Sequence, residues 1–94
     1  MYNLEQLEAI KQEYLEQIEE NRKLIESNIK EVELLPIRRE ISKRVYELCG
    51  KNENYNKKYD EHFQIYEFQI QELTTDIEDL GIEIDMINKM IEEL

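Results

Sequence analysis

The residues of this chain that could support catalysis or metal binding are few. His62 is the single histidine and stands beside Asp60 and Glu61. Di-iron sites in helical bundles use a Glu-x-x-His motif, which places both ligands on one helix face. The residue three positions before His62 is Tyr59, so this motif is absent. We therefore expect His62 to be a partly exposed helical residue and not a metal ligand.

Cys49 is the only cysteine. A cysteine nucleophile needs a base held beside it, and the helix pairing inferred below sets His62 about four turns away along the opposing helix. The pattern favours an incidental or buried thiol. Because one cysteine cannot form an internal disulfide, we expect a reducing compartment such as the cytoplasm.

Other catalytic and cofactor signatures are missing from the sequence. Gly50 and Gly81 stand alone, so there is no glycine-rich phosphate loop. Neither a Cys-x-x-Cys nor a His-x-x-x-His zinc pattern occurs. We expect a protein that is not an enzyme and that uses no cofactor.

Basic residues are concentrated in one short stretch. Between Arg38 and Lys58 there are seven basic and three acidic residues, whereas the rest of the chain has five basic and twenty acidic residues. With three tyrosines nearby, this stretch could bind phosphate groups or an acidic protein surface. The alternative is a solvated surface that offsets the acidic helices. The candidate anion-binding residues are Arg38, Arg39, Lys43, Arg44, Lys57 and Lys58.

Acidic residues dominate elsewhere, and the formal net charge is -11. Rows of carboxylates can imitate nucleic-acid phosphates and occupy a basic groove, which would suit a small inhibitor or regulator, perhaps derived from a phage or mobile element. The alternative is that they keep a helical protein soluble. The charge opposes binding to nucleic acid. The candidate carboxylates are Glu13, Glu16, Glu19, Glu20, Asp76, Asp79, Glu83 and Asp85.

The elements that position these groups are predicted by a heptad repeat from Phe63 to Leu94. All ten a and d positions are apolar or aromatic, and only a helix packed lengthwise on another helix needs that period. The seam consists of Phe63, Tyr66, Ile70, Leu73, Ile77, Leu80, Ile84, Ile87, Ile91 and Leu94.

The first half of the chain predicts a second, less regular helix. Its seam from Leu4 to Leu35 is interrupted by Lys11, Asn21 and Asn28, and we leave open whether these set the register or face solvent. Beyond Pro36, the apolar residues Ile37, Ile41, Val45 and Leu48 predict a seam of shifted phase and a kink in one long helix, with a complete break as the alternative.

Gly50 to Asn54 form the one convincing turn. We predict a single all-α domain over residues 1–94, with helix 1 at about 3–49, a turn at about 50–54 and helix 2 at about 55–94. A short turn between long helices makes them antiparallel neighbours. The predicted fold is therefore a long, coiled-coil-like antiparallel helical hairpin.

Apolar residues outside the two seams exceed what a two-helix hairpin can bury. A wider apolar stripe is typical of a four-helix bundle, so we expect a homodimer of hairpins or a complex with another helical protein. Neither a membrane span nor a signal peptide is evident. The predicted function is a protein–protein interaction module, such as a scaffold, adaptor or complex subunit. The candidate interface residues are Leu15, Leu24, Ile29, Ile65, Phe68, Ile82, Met86 and Met90.

Overall fold

The computed structural model describes residues 1–94 and contains two α-helices. Helix α1 covers Leu4–Cys49 and helix α2 covers Tyr55–Glu92. This confirms the all-α class and the antiparallel helical hairpin. Two compact units can be distinguished: a terminal unit formed by Met1–Leu24 and Glu72–Leu94, and a bend unit formed by Ile25–Gln71.

Helix α1 begins with a capping box. The Gln6 amide donates to Asn3 Oδ1 at 2.9 Å, and the Asn3 amide donates to Gln6 Oε1 at 3.0 Å. The Leu7 amide donates the first helical bond to the Asn3 carbonyl at 3.1 Å. These bonds satisfy amides that a helix start otherwise leaves without partners.

The turn between the helices uses two residues of positive φ. The Gly50 amide donates to the Tyr46 carbonyl at 2.8 Å with a Gly50 φ of 73°, which is the left-handed helix end that glycine permits. Asn52 has a φ of 64°, a value that asparagine tolerates better than most residues. The Asn54 carbonyl accepts the first bond of α2, from the Lys58 amide at 2.9 Å.

Pro36 lies inside α1, and the helix continues across it. Because proline has no amide hydrogen, the Val32 carbonyl loses its usual helical partner. The helix is not broken at Pro36. The kink at this residue stays a prediction. Leu35, next to the proline, is buried, and its packing offsets part of the cost of about 3 kcal/mol that proline imposes within a helix.

The core of the terminal unit follows the predicted seams. Leu7 and Ile18 of α1 are buried, as are Ile84 and Ile87 of α2. In this unit, the other seam residues of α1 from Lys11 onward and of α2 up to Ile91 are half-buried, apart from Asn21, which is buried. No large side chain in the protein is completely buried, so the core is thin.

Asn21 is the one buried polar side chain, and its Oδ1 accepts a hydrogen bond from Gln17 Nε2 at 2.9 Å. An asparagine in a helical seam fixes the register at a cost in stability. We expect Asn21→Leu to raise the free energy of unfolding by about 1 kcal/mol, or the midpoint of thermal unfolding by about 4–8 °C.

The matched variant for this prediction is Gln17→Ala, which removes the hydrogen-bond partner and leaves the buried amide in place. It should lower the free energy of unfolding by about 1 kcal/mol. Thermal unfolding followed by circular dichroism measures both variants. A loss of stability in Asn21→Leu would show that the amide contributes more than a leucine at this position.

Contacts between the two helices of the bend unit show their antiparallel direction. Asn28 Nδ2 donates to Gln69 Oε1 at 3.3 Å, and nearer the turn Tyr46 lies 6.1 Å from Tyr55, measured between ring centroids. As residue numbers rise along α1, those of the contacted residues fall along α2. The bond from Asn28 spans the seam, which supports the register role for this residue.

The predicted shift of phase beyond Pro36 is wrong for Ile37, Ile41 and Leu48, which are exposed, whereas Val45 is half-buried as predicted. The other half-buried positions of α1 in this region are Arg39 and Ser42. The original heptad phase therefore continues across Pro36 to Ser42, and beyond it Val45 is half-buried while Tyr46 is exposed. The Arg39 guanidinium carbon lies 4.3 Å from the centre of the Tyr59 ring, so an arginine performs the packing that we assigned to isoleucines.

Candidate functional site

Four exposed apolar residues form an outer stripe on α1, which consists of Leu34, Ile37, Ile41 and Leu48. The exposed fractions of Ile37, Ile41 and Leu48 are 57%, 58% and 87%. Leu34, Ile37 and Ile41 each stand two positions after a buried or half-buried residue of α1, which corresponds to a rotation of about 200° around the helix. These three residues of the outer stripe therefore lie on the side of α1 opposite the seam, and Leu48 extends the stripe towards the turn.

Helix α2 also carries exposed apolar residues that stand two positions after a seam residue. Ile65 and Phe68 are exposed in the bend unit, and Ile82 and Met86 are exposed in the terminal unit. We call Ile82 and Met86 the outer patch of α2. Their separation of four residues places them on neighbouring turns of one face.

The remaining candidate interface residues differ in exposure. Leu15, Leu24 and Ile29 are exposed, whereas Met90 is half-buried. Leu15 and Ile29 follow seam residues by one position, and Leu24 precedes one by one position, so they flank the seam instead of lying opposite it. The outer stripe was not predicted from the sequence because its isoleucines were assigned to the seam. Continuing the heptad unchanged through Pro36 would have found it.

The bend unit contains a cleft of about 130 Å³ between its two helices. Arg38, Arg39 and Lys58 line it, and no carboxylate does. The remaining lining residues are Leu35, Ser42, Tyr55, Tyr59 and His62. The cleft thus combines three cationic side chains with three hydroxyl groups and an imidazole.

The other predicted anion-binding residues lie outside this cleft. Arg44 Nε pairs with Glu40 Oε1 at 3.2 Å, and Lys57 Nζ lies 4.0 Å from Glu61 Oε1. Lys43 is exposed. The structure therefore brings together three of the six predicted residues and two of the three tyrosines near them, Tyr55 and Tyr59. It adds Ser42 and His62, which the sequence did not group with them.

A second cleft, in the terminal unit, is acidic. It encloses about 310 Å³ and is lined by Gln17, Asn21, Leu80 and the carboxylates of Asp76, Asp79 and Glu83. These carboxylates belong to the row considered above as a nucleic-acid mimic. No three His, Cys, Asp or Glu side chains come together in an arrangement that could hold a metal ion.

Cys49 is exposed and forms no disulfide. Its Sγ donates to the Val45 carbonyl at 3.2 Å, which is a bond within its own helix. The Cys49 thiol and the His62 imidazole have different surroundings, because His62 lines the basic cleft. Of the two alternatives for Cys49, a buried thiol is wrong, because the residue is exposed where α1 ends at the turn, and an incidental thiol stays a prediction.

No protein-family model, no curated protein and no solved structure matches this chain. Neither helix combines the length and the apolar composition needed to cross a membrane.

Proposed function

We propose that this protein is a non-enzymatic interaction module that pairs with a second copy of itself to form an assembly of four helices. The observation that carries this proposal is the outer stripe of α1, an apolar heptad face that has no partner within the chain. In this proposal the dimer serves as a scaffold, adaptor or subunit of a larger complex. We place it in the cytoplasm, where an unpaired cysteine stays reduced.

The exposed area supports a second copy as the partner. The 11.5 kDa chain exposes 7434 Å², which is about 1,600 Å² more than the roughly 5,800 Å² typical of a compact monomer of this mass. A stable dimer needs about 800 Å² from each partner. The chain therefore has enough surplus surface for such an interface, and its thin core would gain stability from it.

The charge distribution favours an antiparallel arrangement of the two copies. The terminal unit has four basic and fourteen acidic residues, whereas the bend unit has eight basic and nine acidic residues. A parallel dimer would bring two strongly acidic terminal units together, and like charges at an interface are unfavourable. An antiparallel dimer sets the bend unit of each copy against the terminal unit of the other, where basic and acidic side chains can pair.

The oligomeric state tests the proposal directly. We expect light scattering to give the mass of a dimer at micromolar concentration, with dissociation on dilution. A folded monomer at every concentration would contradict self-assembly, because the outer stripe would then remain exposed without a second copy.

The orientation of the two copies can be measured with a spin label on Cys49, the single exposed thiol. The 46 residues of α1 correspond to a length of about 69 Å. In an antiparallel dimer the two labels should therefore lie more than about 50 Å apart, whereas a parallel bundle would bring them within about 30 Å. Distances measured by pulsed electron resonance distinguish the two, and a short distance would contradict the antiparallel arrangement.

A further inference from the structure

We propose that the cleft of the bend unit binds a single phosphate group, either as inorganic phosphate or as the end of a phosphomonoester. The cleft and the outer stripe have no residue in common, so this proposal and self-assembly are tested by different variants.

The lining of the cleft fits a tetrahedral oxyanion. Arg38, Arg39 and Lys58 supply positive charge and N–H donors, and Ser42, Tyr55 and Tyr59 supply hydroxyl groups. Hydrogen bonds from cationic donors to phosphate oxygens are among the strongest in proteins, and arginine matches phosphate geometry through two parallel bonds. No carboxylate belongs to the lining, and of the three cationic side chains only Arg38 is paired with one, Glu31.

Two of the cationic groups are held in place by their neighbours. The Arg39 guanidinium lies over the Tyr59 ring, which in turn stacks on Phe63 at 6.1 Å between centroids with an interplanar angle of 15°. Arg38 Nη2 lies 3.4 Å from Glu31 Oε2. Such contacts reduce the side-chain freedom that binding would otherwise remove. They leave the cleft basic and partly ordered before any ligand arrives.

The size of the cleft limits the ligand. Sites that enclose a whole drug-sized molecule measure about 300–1,000 Å³, and this cleft measures about 130 Å³. It can hold one phosphate group, while the rest of a phosphomonoester would extend into solvent. A long polyanion is disfavoured because the chain has a net charge of -11 and would repel the phosphates outside the cleft.

Titration of the isotope-labelled full-length protein by NMR tests the proposal, with inorganic phosphate and O-phosphoserine as separate probes. The experiment is done above about pH 7, where the monoester is a dianion, and chloride at equal ionic strength controls for screening. We expect saturable shifts of amides around residues 38–42 and 55–62. Tighter binding of O-phosphoserine would identify a monoester as the ligand class, and equal or weaker binding would identify free phosphate.

Four charge-removing variants make the test specific to the cleft. Arg38→Gln and Lys58→Gln should each weaken phosphate binding by about tenfold or more. Arg44→Gln and Lys57→Gln remove the same charge from the same unit but outside the cleft, and should change the affinity by less than about twofold.

Two results would overturn the proposal. One is the absence of saturable shifts with either probe. The other is equal weakening by the cleft variants and by Arg44→Gln and Lys57→Gln, which would indicate general attraction to the basic surface. A single-stranded oligonucleotide that binds more tightly than both probes, with equal sensitivity to all four variants, would indicate a nucleic-acid surface and would likewise contradict a phosphate cleft. Because light scattering measures assembly separately, failure here leaves the proposed dimer intact.

Discussion

Replacing Ile84 by aspartate is expected to abolish most of the helical circular dichroism signal at room temperature. Ile84 is one of two buried residues of α2, and a carboxylate there would be removed from water without a cationic partner. The cost of such a lone buried charge is about 3–5 kcal/mol or more. A chain of 94 residues has a total stability of roughly 5–14 kcal/mol, and the thin core places this protein at the lower end.

The matched control for Ile84→Asp is Thr75→Asp, which adds the same side chain to an exposed position of the same helix. Aspartate within an exposed helix costs less than about 1 kcal/mol, so this variant should keep the wild-type helicity. The circular dichroism signal at 222 nm without denaturant measures the helicity of both variants, and unfolding in urea measures the stability of Thr75→Asp against the wild type. Equal helicity of the two variants would contradict the assignment of Ile84 to the seam.

The parts of the fold that could be predicted from the sequence are those determined by local chemistry and an unbroken period. The seam of α2 has an apolar residue at every a and d position, and its members between Phe63 and Ile91 are buried or half-buried. Gly50 and Asn3 end and begin α1 through backbone preferences that need no tertiary information. For these elements the sequence pattern and the packing agree.

The register of α1 beyond Pro36 could not be predicted from hydrophobicity alone. Counting apolar residues favoured Ile37 and Ile41 for the seam, because arginine and serine score as surface residues. The geometry reverses this assignment, since Arg39 packs on Tyr59. An aromatic ring on the facing helix makes an arginine a suitable seam residue, and this depends on a contact between residues twenty positions apart.

The basic cleft was predictable only in part, for a similar reason. The sequence shows a basic stretch, but which of its side chains converge depends on the pairing of the two helices. Arg44 and Lys57 pair with carboxylates four positions away on their own helices, while Arg38 and Lys58 come from different helices to the same cleft. The identity of a charged residue gives its chemistry, whereas its position around the helix decides its neighbours.

Loss of the proposed dimer on charging the outer stripe is the second prediction with a large expected effect. The outer stripe and the outer patch each lie opposite the seam of their own helix, and the seams face each other, so one partner copy can cover only one of the two faces. We expect the double variant Ile37→Glu/Ile41→Glu to weaken the homodimer by at least about a hundredfold. Both side chains are exposed in the single chain, so the helicity of the monomer should persist.

The matched control is Ile82→Glu/Met86→Glu, which places the same two charges on the outer patch of α2. Because the outer patch lies opposite the seam of the other helix, it stays outside an interface made by the outer stripe, and we expect the dimer affinity to change by less than about threefold. Light scattering across a dilution series measures both variants. An undiminished dimer of Ile37→Glu/Ile41→Glu would show that the outer stripe is not where the copies meet, and equal weakening by both variants would indicate general apolar association.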